Sequence, residues 1–151
     1  MDALQRYSRM LRDRELSCII LKNDEVIYTS TFIGVKPLLM FMQEGTIIGE
    51  NDTLTLVDKV IGKAALLLAV KCGIDRIYTP ILSEEALAAA AHYQIPVEAE
   101  KVVPYIVNRA RNGKCPIETS VMDTLDLDEA YENIKGAIAI LMKQKSEDLT
   151  S

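Results

Sequence analysis

The sequence predicts a three-layer α/β/α sandwich built on a mixed sheet. Three observations point there: apolar residues recur at helical spacing near both ends, two β-prone runs flank a turn-length polar link, and later strands alternate with helices. The predicted order is helix, strand, strand, helix, helix, strand, helix, strand, strand, helix. With 151 residues, one domain over 1–142 is long enough to bury roughly 70% of its unfolded surface, and 143–151 is expected to be a flexible C-terminal tail.

Leu4, Tyr7 and Leu11 lie among Gln5, Arg6, Arg9 and Arg12, the pattern of an amphipathic helix resting on the sheet. Ser17 to Leu21 and Val26 to Ser30, joined by Lys22, Asn23, Asp24 and Glu25, read as adjacent antiparallel strands. Gly34 and Pro37 open a short helix through Leu38, Leu39, Phe41 and Met42, and Gly45 stops it. Thr46 to Thr53 is a loop or a second short element. Leu54 to Val57 is extended, and Asp58 is expected to cap a helix that runs to about Lys71 and stops at Gly73. That helix is apolar on nearly every side, as a helix between layers or against another subunit would be.

Arg76 to Leu82 is a strand, and Ser83 with Glu84 and Glu85 starts an Ala-rich helix ending near Tyr93. Pro96 leads to a strand over Val97 to Glu100, with a further run from Val102 to Val107 interrupted by Pro104. Asn108 to Lys114 is a polar loop and Ile117 to Met122 a short helix. Asp126 and Glu129 form a capping box for a last helix using Tyr131, Ile134, Ile138 and Leu141.

Composition narrows the function classes. A formal charge of -5 opposes nucleic-acid or acidic-membrane binding, which needs a positive field. The N-terminus has no signal-like apolar core, and the longest apolar run, Ala64 to Val70, is too short to span a bilayer. A cytoplasmic protein is expected. Cys18, Cys72 and Cys115, odd in number and widely spaced, suit free thiols. Cys18 and Cys72 read as small buried hydrophobes.

Lys59 and Lys63 carry the most unusual chemistry. The first turns of a helix expose unpaired amides and a partial positive charge, so cations there have the wrong sign. Either Asp58 or a bound anion must compensate them. The segment is not a phosphate-binding Walker loop, because Gly62-Lys63 is followed by Ala64 and position 57 is Val. Lys36 adds a cation before the proline-led helix, and Asn108-Arg109 opens the polar loop, where Arg109 can grip a carboxylate or phosphate. Cys115, between Lys114 and Pro116, has an electropositive setting of the kind that favours thiolate, with Glu118 nearby. His92, the only histidine, falls near the end of another helix.

The runs Gly34-Val35-Lys36-Pro37-Leu38-Leu39, Asp58-Lys59-Val60-Ile61-Gly62-Lys63-Ala64-Ala65 and Lys114-Cys115-Pro116-Ile117-Glu118 resemble, in matching order over about residues 14 to 142, the uncharacterised prokaryotic domain-of-unknown-function family 1893. The resemblance implies a cytidine-deaminase-like fold and, by default, a homodimer. Enzymes of that superfamily hold zinc with a His or Cys at one helix start and a Pro-Cys-x-x-Cys pair at the next. Here the corresponding starts carry Asp58-Lys59-Val60 and Leu82-Ser83-Glu84-Glu85, which excludes deamination through zinc-bound water. No metal or cofactor is predicted.

Three functions stay open. The first is a zinc-free domain binding a nucleotide or other anionic, phosphorylated metabolite through Lys36, Asp58, Lys59, Gly62, Lys63, Asn108 and Arg109. The second is a transferase or hydrolase with Cys115 and Glu118 as catalytic residues. The third is a homo-oligomeric interaction module with a vestigial pocket.

Overall fold

Alternation along the strands divides the interior into two clusters. Ile19, Leu21 and Val57 point to one face, where Leu11 of the first helix covers them, while Cys18, Ile20, Leu54 and Leu56 point to the other, beneath the remaining helices. The computed structural model describes residues 2–106 and 115–150. They form a mixed α/β fold in the order α1 (Ala3–Asp13), β1 (Cys18–Lys22), β2 (Glu25–Ser30), α2 (Lys36–Glu44), β3 (Leu54–Asp58), β4 (Val60–Ile61), α3 (Lys63–Cys72), β5 (Arg76–Ser83), α4 (Glu84–Tyr93), β6 (Val97–Val103), α5 (Pro116–Ser120) and α6 (Leu127–Thr150).

The β1–β2 link tightens to two residues, Asn23 and Asp24, both at positive φ (51° and 70°). Their mirror-image turn matches the natural twist of a hairpin. β1 pairs antiparallel with β2 and β3, and β3, β5 and β6 are mutually parallel in sequence across the sheet. β4 continues β3 along the same side of β5, pairing at Ile81 and Leu82 where β3 paired at residues 76–78. The break coincides with Pro80 of β5, which has no N–H to give a ladder. Thr79 heals the gap, its Oγ1 donating to the Ile81 carbonyl at 3.0 Å.

Two expected boundaries move. Asp58 is not a helix cap: β3 runs through it, β4 follows, and α3 begins only at Lys63 with Gly62 as its N-cap. Val57 and the residues around it have partners in both neighbouring strands, and that pairing outweighs the local capping preference of Asp. At the C-terminus, α6 stays helical to Thr150, so 143–150 is helix where a tail was expected. The α6 start departs in detail: Asp126 Oδ1 accepts from the Glu129 amide at 2.8 Å, but the Asp126 amide donates to Thr124 Oγ1 at 3.1 Å. The two strands expected on either side of Lys101 are one, β6, which stops before Pro104.

α3 is the centre of the larger cluster. Residues 63–69 are all buried, and Leu66 of its middle turn is fully enclosed. Leu66→Ala is expected to cost about 2–5 kcal/mol through lost burial and the cavity left behind, measured by chemical denaturation, with the slope of the transition unchanged. No described helix is long and apolar enough to cross a membrane.

Candidate functional site

A helix sealed inside the protein cannot hydrate its first amides, so a side chain must satisfy them. Glu118 of α5 does so for α3. Its Oε2 accepts from the Lys63 amide at 2.8 Å and its Oε1 from the Ala64 amide at 3.2 Å. A buried carboxylate at the positive end of the helix also has the favourable sign. Gly62 is required for this docking: a Cβ there would lie 2.3 Å from Glu118 Oε1 and 2.5 Å from its carboxyl carbon. The Lys63 side chain returns the contact, Nζ donating to the Met122 carbonyl just beyond α5 at 3.1 Å. Gly62, Lys63 and Glu118 are thus engaged with one another and with the α3–α5 junction.

Asp58 lies elsewhere on the same chain end, at the carboxyl end of β3. It is 2% exposed and directly opposes Cys18, which in turn opposes Ser30. Burial pushes its carboxyl well above the usual carboxylate range, against the lowering effect of the neighbouring Lys59 and Val60 amides. Its Oδ2 is buried with no hydrogen-bond partner. The thiol of Cys18 beside it is likewise raised, by burial first and then by Asp58, and that of Cys72 is pushed up to about 12 by burial. Cys18 is the small buried apolar side chain its sequence position suggested, whereas Cys72 is only half-buried.

Ser17 ties three chain segments together at this edge. Its amide donates to the Ser30 carbonyl at 2.9 Å, its carbonyl accepts from Lys59 at 3.1 Å, and its Oγ donates to the Thr31 carbonyl at 3.0 Å. Exposed Lys59 therefore sits along the same edge as Phe32 and Lys36, and the Lys36 ammonium lies 3.9 Å from the Phe32 ring centroid. Nothing in the sequence marks Ser17 for this task, because it reads there only as the first residue of a strand.

Cys115 is half-buried and forms the N-cap position of α5, its amide bonded to the Ile106 carbonyl at 3.1 Å. Glu118 is one turn away with its carboxylate on α3. His92 is exposed in the last turn of α4, edge-on to Tyr93 at 4.8 Å. Asn108 and Arg109 lie outside the described residues. Among the described residues no group of three His, Cys, Asp or Glu side chains is placed to share a metal ion. An open depression of about 240 Å³ lies at the far end of α3, between Phe41, Gly45, Ile48 and Cys72, and none of the sequence-predicted site residues lines it.

The family model for a domain of unknown function, DUF1893, matches residues 6–138. The chain belongs to the DUF1893 family. A crystal structure of a DUF1893 family protein from Thermotoga maritima has the same fold, with a TM-score of 0.75 over 92% of this chain and 90% of that one at 21% identity. No curated protein matches the chain. DUF1893 membership carries no reaction with it, so the chemistry must come from the residues.

Two predictions follow from this geometry. Gly62→Ala is expected to destabilise the fold by about 1–3 kcal/mol by displacing the buried carboxylate, and much less in a Glu118→Ala background; equal costs in both backgrounds, read from denaturation midpoints, would refute the coupling. Asp58 has a raised folded-state pKa, so the fold loses stability as pH rises from the unfolded value of 3.8 through the folded one. Asp58→Asn should flatten that fall and be the more stable protein at neutral pH, its advantage vanishing below the unfolded value.

Proposed function

We propose that this domain binds a nucleotide or other anionic, phosphorylated metabolite at the carboxyl edge of β3, and that its role is binding or sensing. The observation that carries this is the orphaned Oδ2 of Asp58. An unmatched buried polar atom costs about 1–3 kcal/mol, and a cost of that kind is retained where a ligand completes the bonding. The carboxyl ends of parallel strands are also where open α/β sheets receive ligands.

The anion contacts are the exposed cations of this edge, Lys36 and Lys59, with Asp58 bonding a sugar hydroxyl. The α3 amides do not take part, because Glu118 already occupies them, and Lys63 is held by Met122. We further propose that the architecture is cytidine-deaminase-like, which the sheet order and the start of α3 and α4 at one edge support. The groups at those two helix starts do not fit the superfamily's zinc. Amides bonded to Glu118 and a Ser83 hydroxyl accepting from Ala86 at 3.0 Å supply neither imidazole nor thiolate. A homodimer remains the proposed assembly.

Thermal unfolding of the full chain against a panel of nucleotides and sugar phosphates tests the reading. At a hundredfold excess over Kd a true ligand adds about 2.7 kcal/mol, a shift of several degrees. Lys36→Ala and Lys59→Ala should each reduce it, and high salt should weaken it as screened charges require. The reading fails if no phosphorylated metabolite raises the midpoint.

A further inference from the structure

The chain has two phenylalanines, and they have opposite fates. Phe41 is in the core at 5% exposure, whereas Phe32 is 44% exposed on the segment between β2 and α2. An exposed ring is ordinary when it sits on a loose loop. The peptide group that leads into this one is held at both its ends: the Phe32 amide donates to Ser30 Oγ at 3.1 Å, and the Thr31 carbonyl accepts from Ser17 Oγ at 3.0 Å. Gly34, at φ +75°, then turns the chain so that Lys36, in the first turn of α2, returns over the ring.

We infer that Phe32 is a stacking platform for the planar ring of the ligand, which makes the ligand class a nucleotide and not a simple sugar phosphate. This deepens the proposed function and rests on it. Ser30 and Asp58 stand on the two strands flanking β1, so their backbones are about 10 Å apart, two strand spacings. A mononucleotide with its base on Phe32, two residues beyond Ser30, directs its sugar toward Asp58. The cation on the ring is compatible with this role. At an exposed site such a contact is weak, and a phosphate draws Lys36 away from the ring as the base arrives. The aromatic side chain accepts any base through its π face, so it selects for a base over none more than among bases.

Isothermal titration of the full chain with the four ribonucleoside monophosphates and with ribose 5-phosphate tests this. The expected result is that at least one nucleotide binds about tenfold or more tighter than ribose 5-phosphate. Phe32→Ala should remove that margin and leave ribose 5-phosphate binding unchanged, and Phe32→Tyr should keep it. Equal affinities for ribose 5-phosphate and nucleotides in the wild type would overturn the inference while sparing the proposed function. So would a folded Phe32→Ala protein that keeps the nucleotide margin, or one whose only change is to turn an oligomer into a monomer. If neither these probes nor any other phosphorylated metabolite binds, the inference and the reading beneath it fall together.

Discussion

The arrangement of the whole domain depends on how an interior helix starts without water. α3 is enclosed from its first residue, so its leading amides demand an acceptor from another part of the chain, and Glu118 supplies both oxygens. The demand propagates. It requires a residue without a side chain at position 62, fixes α5 against α3, and leaves Lys63 to reach the backbone at Met122. A cation at the wrong end of a helix is tolerated because a buried carboxylate stands beside it.

This answers the charge puzzle posed by Lys59 and Lys63 in a way the sequence does not announce. The expected compensation was Asp58 or a guest anion. Lys59 is not on the helix, which begins at Lys63, and the acid that meets the helix amides is 55 positions beyond Lys63, a separation about which linear spacing holds no information. Local signals fared better. The Asn23-Asp24 turn, the glycine stops at Gly45 and Gly73 and the Ser83 cap lie where their backbone preferences put them. Asp58 misled because a cap and a strand end look alike before pairing is known, and only the neighbours Cys18 and Val57 reveal which one it is.

The two halves of the expected binding motif have separated into different tasks. Gly62, Lys63 and Glu118 hold the α3–α5 junction, while Asp58, Lys59 and Lys36 belong to the sheet edge bound together by Ser17. Cys115 keeps its place at the head of α5, but the carboxylate nearest in sequence is employed on α3. What looked like one cluster in the sequence is a structural clasp beside an open margin.

The opposite margin of the sheet is far more tightly fastened. There the hairpin tip reaches across three segments: Asn23 holds Asp52 and Thr53, Asp24 holds Arg76, and Asp75 holds Leu54. Such a selvedge lets the fabric be altered at the other border without unravelling. The hairpin tip should therefore stay constant wherever the fold is kept, a fixed border built into the weave of the strands.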